Sequence, residues 1–128
     1  MTKIVIDAYA WIEYLEGSEK GVKVTEMLED TSNELFTSST TVAEVVSKFL
    51  KKDKDIKIAS TAMSTLSSII VINKEISILA GHIHFEAKKK NKDFGMLDAF
   101  VAATARKIGA KILTGDTDFR GFKEAVFI

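Results

Sequence analysis

The chain has 128 residues, 46% of them hydrophobic and 28% charged, which as a length favours one domain and as a composition excludes intrinsic disorder as the main state. Its 18 Lys and Arg balance 18 Asp and Glu, so overall charge argues neither for nor against a nucleic-acid partner. There is no Cys, which removes disulfides, thiolate zinc sites and a cysteine nucleophile, and no Pro, which removes X-Pro isomerisation as a slow folding step.

No apolar run approaches the roughly 18 residues of a membrane span, and Met1-Thr2-Lys3-Ile4-Val5-Ile6-Asp7 meets an acid too early for a secretion signal. A soluble, cytoplasmic protein without a membrane partner is expected. Two basic runs, one from Lys48 to Lys57 and one from Lys88 to Lys92, read as solvated helix ends before they read as phosphate-binding surface.

Lys3 to Ile6 is a short β-branched run, predicted as a buried strand, and a helix follows from Ala8 to Leu15, stopped by Gly17. Ser18 before Glu19 caps a second helix through Val22, Val24, Met27 and Leu28. Glu34 to Ser38 is the second strand. The Ser38-Ser39-Thr40-Thr41 cluster opens a helix whose apolar face is Val42, Val45, Val46, Phe49 and Leu50. A helix over Lys57 to Ser68, a strand over Ser68 to Ile72 and a helix from Glu75 to Lys90 come next. Leu97 to Ile108 is a helix closed by Gly109, Lys111 to Thr114 a strand broken at Gly115, and Ala125 to Ile128 an edge strand. Short strands apolar on both faces, alternating with helices, predict one α/β domain over residues 1 to 128, with a mainly parallel sheet.

Four acids fall at informative places: Asp7 after the first strand, Glu44 in the first turn of the third helix, Asp98 in the first turn of a later helix, and Asp116 after the Lys111 to Thr114 strand. In a parallel α/β sheet, strand C-termini and the N-termini of crossover helices share one edge, so all four point to one rim. Each alone has a plainer explanation as a helix cap or turn residue, Glu44 through a Thr41-x-x-Glu44 capping box. Their conjunction is harder to explain by capping. Converging carboxylates repel, and a cation relieves that repulsion. Oxygen ligands without Cys or a close His cluster select a hard ion, Mg²⁺ or Mn²⁺, and such a site suits phosphodiester hydrolysis.

Asp118 adds a fifth carboxylate, and Thr114 at the strand end offers a hydroxyl. An EF-hand is excluded because Phe127 stands where its bidentate Glu belongs. His82 and His84, two residues apart on a helix, do not share a face as a zinc pair would. No phosphate-binding P-loop, dinucleotide-binding glycine motif or Gly-x-Ser-x-Gly elbow is present. Trp11 and Tyr14 read as core or subunit interface rather than as base-stacking groups.

Taken in order, Ile4-Val5-Ile6-Asp7, Thr41-Val42-Ala43-Glu44, Leu97 to Ala105 with Asp98 inside it, and Lys111 to Phe119 with Thr114-Gly115-Asp116-Thr117-Asp118 resemble the PIN-domain ribonucleases, most of all the VapC-type toxins. The resemblance spans essentially the whole chain. It implies a three-layer α/β/α sandwich and an endoribonuclease dependent on Mg²⁺ or Mn²⁺. It also implies RNA as substrate, a small antitoxin as protein partner, and a homodimer. Carried over by motif, Asp7, Glu44, Asp98 and Asp116 match the acidic quartet, with Asp7, Asp98 and Asp116 as metal ligands and Asp118, Thr114 and Thr41 in support. The chain departs from the pattern at Ala8-Tyr9-Ala10, where many members place Ser or Thr. Two other readings use the same residues. One is a non-catalytic binding module of the same fold whose acids are caps. The other is a toprim-type phosphoryl-transfer enzyme that would use Glu44 with Asp116 and Asp118 and leave Asp7 and Asp98 dispensable.

Overall fold

Strand β1 (Thr2–Ile6) alternates its side chains between two faces, Val5 to one core and Ile4 and Ile6 to the other, and all three are buried. A strand with water on neither face suits the centre of a parallel sheet, and β1 lies there. The structure, a computed structural model, describes residues 1–128. β1 pairs in parallel with β2 (Asn33–Ser38) on one side and β4 (Lys111–Thr114) on the other. β3 (Ser68–Ile70) and β5 (Ala125–Phe127) complete a wholly parallel sheet in the order β3-β2-β1-β4-β5.

Helices α1 (Ala8–Glu16), α2 (Glu19–Glu29), α3 (Ser39–Lys51) and α4 (Ile56–Leu66) cover the face that carries Ile4, Ile6 and Leu113. Helices α5 (Lys74–Lys88) and α6 (Met96–Ile108) cover the face of Val5, Phe36 and Ile112. The result is the expected three-layer α/β/α sandwich. Small residues let α6 sit close: Ala99, Ala102, Ala103 and Ala105 are all fully buried. Trp11 of α1 is also fully buried, and its indole N–H donates to Thr37 Oγ1 at 3.0 Å, tying α1 to β2. No helix is long and apolar enough to cross a membrane.

Capping fixes the boundaries. Ser18 Oγ accepts from Gly21 N at 3.1 Å at the start of α2, as the sequence predicts, and Gly109 ends α6 at φ 70°, a left-handed conformation that costs glycine least. Three expectations need correction. The third helix is capped by Ser38, one turn earlier than a Thr41 cap would require, so the Thr41–Glu44 capping box does not form and Glu44 lies in the second turn. Leu50 is 62% exposed because that helix turns Thr41, Val45 and Phe49 inward instead. The third strand ends at Ile70, since the Ile72 N–H has turned away to donate to Ser39 Oγ at 3.2 Å.

Candidate active site

The strand order places the site. The chain starts at the central strand, adds β2 and β3 on one side, and then crosses to β4 and β5 on the other, so direction reverses between β1 and β4. A crevice opens at such a reversal, outside the strand C-termini. Asp7 directly follows β1 and Asp116 follows β4 by two residues; the Asp7 N–H donates to the Leu113 carbonyl at 3.1 Å, which locks the two strand ends together.

Asp7 is a buried carboxylate, 4% exposed. It caps α1, with Oδ1 accepting from Ala10 N at 2.9 Å, while Oδ2 accepts from the Thr114 hydroxyl. Burial pushes its pKa up to about 7 despite those two hydrogen bonds, and the charges of Asp116 and Glu44 push in the same direction. Thr114, in turn, accepts from Asp116 N at 2.9 Å, so one buried hydroxyl connects the acids at both strand ends. Thr114, which the sequence offers only as a strand-end hydroxyl, is in the fold the link between Asp7 and the Asp116 turn.

Asp98 sits at the third position of α6, its Oδ2 accepting from Gly95 N at 2.9 Å. Asp116 caps the short helical turn Thr117–Phe119 by accepting from Asp118 N at 2.9 Å. Carboxylate oxygens of Asp98, Asp116 and Asp118 lie within 4.8 Å of one another, close enough to share one ion. Partial burial raises the Asp98 pKa to about 6, reinforced by Asp116, Asp118 and Glu44. The trio that converges most tightly thus includes Asp118, where sequence pointed to Asp7, Asp98 and Asp116 as ligands.

Glu44 arrives from α3 on the opposite wall, half-buried, with Lys48 one turn along at 3.2 Å. Its charge acts on both Asp7 and Asp98, which connects the deep acid to the outer trio. Thr41, one turn before Glu44, is buried with a hydroxyl that has no hydrogen-bond partner.

Sequence reasoning missed three residues that shape this rim. Asn91 Nδ2 donates to Asp118 Oδ1 at 3.1 Å from the loop after α5. Phe94, fully buried, stacks on Phe122 and meets Phe119 edge-on, anchoring the loop that leads into α6. Tyr9 lays its ring where a side chain at position 115 would stand, so Gly115 is required for space. None of the three carried a local signal, because Tyr9 meets Gly115, Asn91 meets Asp118 and Phe94 meets Phe122 only through the fold.

The PIN domain family model matches residues 4–125. No curated protein matches the sequence. Among solved structures, a toxin–antitoxin complex from Klebsiella pneumoniae is 22% identical with a TM-score of 0.76, covering 96% of this chain and 95% of that one. The Mycobacterium tuberculosis toxin VapC20, described as cleaving the sarcin–ricin loop, is 17% identical with a TM-score of 0.75 over 94% of this chain and 95% of its own. A DNA-bound VapBC from Salmonella typhimurium is 19% identical with a TM-score of 0.75, over 100% and 98%. At such identities the likeness is one of fold, while the family match covers nearly the whole chain: this protein belongs to the PIN domain family.

Proposed function

We propose that the protein is a metal-dependent endoribonuclease that hydrolyses RNA phosphodiester bonds and serves as the toxin of a toxin–antitoxin pair. The observation that carries this reading is the convergence of Asp98, Asp116 and Asp118 at the β1–β4 reversal, with Asp7 and Glu44 near enough to act on them by charge and with the pKa values of Asp7 and Asp98 raised toward neutrality. The donor set fits a divalent cation: it is all oxygen, without Cys or His, and it contains more negative charge than neighbouring cations balance. Asp98, Asp116 and Asp118 would hold Mg²⁺ or Mn²⁺, and the buried Asp7, coupled by charge to Asp116, would add its negative charge to theirs. Such an ion, when bound, lowers the pKa of water and neutralises charge on the phosphodiester.

The chain's own groups do the positioning. The Ala10 N–H and the Thr114 hydroxyl hold Asp7 in one orientation, and the Gly95 N–H fixes Asp98 through Oδ2, leaving Oδ1 for the site. Lys48 engages Glu44 at Oε2, which leaves Oε1 to orient an attacking water and accept its proton. Because the pKa values of Asp7 and Asp98 are raised to about 7 and about 6 in the metal-free protein, cation binding releases whatever protons they still carry.

Supporting the biological reading, the solved relative from K. pneumoniae is a toxin–antitoxin complex, so an antitoxin is the expected protein partner; the homodimer rests on the family resemblance alone. The decisive experiment is cleavage of a labelled RNA panel with Mg²⁺ or Mn²⁺ and with chelator, native chain against Asp98→Asn. Cleavage that needs metal and disappears in the variant establishes the activity; metal-dependent cleavage that survives in the variant refutes it. One observation favours a second reading, a non-catalytic binding module: Asp7, Asp98 and Asp116 each accept a backbone N–H as caps do. Mn²⁺ titration separates the two, since caps alone bind no ion.

A further inference from the structure

Beside the acidic rim lies a cavity of about 630 Å³ between α5, α6 and the turn that joins β4 to β5. The two are continuous, because Asp118 belongs to both and is held by Asn91, which also lines the cavity. Its volume falls in the range of small-ligand sites, which runs from about 300 to 1,000 Å³. Phe122, Leu79 and Ala87, all partly exposed, contribute apolar surface to its wall, with the fully buried Phe94 stacked behind the Phe122 ring at 5.2 Å between centroids.

The charges around this floor sort into committed and uncommitted groups. Arg106 pairs with Glu124 at 2.8 Å and lies over the Phe122 ring at 5.3 Å, while Glu86 pairs with Lys89 at 3.2 Å. Lys90 and Arg120 also line the cavity, both exposed, and neither forms an ion pair. Two uncommitted cations above an apolar floor, adjoining a carboxylate cluster, complement a molecule with an anionic backbone and a flat apolar ring. A nucleotide has that chemistry.

We propose that this cavity seats one unpaired nucleotide of the RNA chain next to the scissile phosphate, with Lys90 and Arg120 holding its backbone phosphate and the base against the apolar side formed by Leu79, Ala87 and Phe122. The assignment rests on the nuclease reading and deepens it: the acids are blind to base identity, so base choice falls to this cavity. His82, which also lines it, offers an imidazole to the base edge and is the group that discriminates among bases.

The test uses the full chain with Asp98→Asn, so that RNA stays intact, and reads fluorescence anisotropy of short single-stranded homo-oligomers of each base. Adding Lys90→Ala and Arg120→Ala together is expected to weaken binding about tenfold and to lower the salt slope by about 0.7, the share of one single-strand phosphate contact. Arg120→Lys restores part of the loss, and His82→Ala levels the preference among the four oligomers. Thermal melting of each variant reports that the fold is kept. Unchanged affinity, salt slope and base preference overturn the proposal and leave the cavity to a protein segment, and so does absence of binding to any single-stranded RNA. The two readings fail separately: a native protein that cleaves no RNA, yet binds it through Lys90 and Arg120, loses the nuclease reading and keeps the RNA seat.

Discussion

A carboxylate that is nearly inaccessible and yet carries two hydrogen bonds is held for a purpose other than stability. For Asp7 the unfolded pKa is near 3.8 and the folded value about 7, so the folded state retains the proton across that window. Folding stability from this group is therefore full below the lower value and is lost as pH rises through the upper one. The separation of those two values sets a ceiling of roughly 4 kcal/mol on that loss. Asp7→Asn is expected to raise the melting temperature of metal-free protein at pH 8 by several degrees, to change it little at pH 4, and to abolish RNA cleavage. A melting temperature lowered by the same change at pH 8 would mean that the charge is stabilised by groups other than Ala10 and Thr114. Thr114→Val should do the opposite, because it removes the hydroxyl that supports both Asp7 and the Asp116 turn. It is expected to cost about 1–3 kcal/mol at pH 8 and less at pH 5, measured by denaturant unfolding at both pH values.

At the scale of elements, the β4 turn and α1 meet through Tyr9 and Gly115. Gly115 has no left-handed backbone requirement, so its role is space: a Cβ there overlaps the Tyr9 ring. Gly115→Ala is expected to cost about 1–3 kcal/mol, the usual range for overpacking. Trimming the ring relieves it, so the Tyr9→Ala, Gly115→Ala double variant should be more stable than the sum of the single effects by about 0.5–3 kcal/mol. Strictly additive unfolding energies would show that the turn moves away from the ring instead. The same elements show what was legible in the sequence. Strand and helix order and the mainly parallel sheet followed from apolar strands and helical periodicity, which local sequence encodes, whereas the three layers were what the family resemblance implied. Leu50 misled because an apolar residue at helical spacing reports the face only to within a turn, and whether a neighbour covers it is settled by tertiary packing. The third helix started earlier than expected because Ser38 and Thr41 are both good caps, and the end of β2 chose between them.

For the whole molecule, the acids at the rim were legible because topology turns sequence position into spatial convergence: a residue after a central strand must face the crevice. The partners of those acids were not, since Asn91, Gly95 and Thr114 reach them across 27, 3 and 107 residues of chain, and only the Gly95 contact is local. On the proposed metal-dependent reading, this arrangement makes stability depend on a divalent cation in a pH-dependent way. Asp7 and Asp98 must both lose protons when an ion is bound, and their pKa values stand near 7 and 6. Affinity therefore falls as pH drops through those values, and the ion stabilises the fold by mass action only where both acids are free to ionise. Mn²⁺ at about one hundred times its dissociation constant should add about 2.7 kcal/mol, roughly 10 °C in a chain of this size, at pH 8. At pH 5.5 the same concentration should add much less, and Asp98→Asn should reduce the response at both. Differential scanning fluorimetry across Mn²⁺ concentration and pH reads all of these at once. A melting temperature indifferent to Mn²⁺ at pH 8 would mean that Asp7, Asp98 and Asp116 serve as caps and that the carboxylates have no ion to share, and the nuclease reading would fall with it.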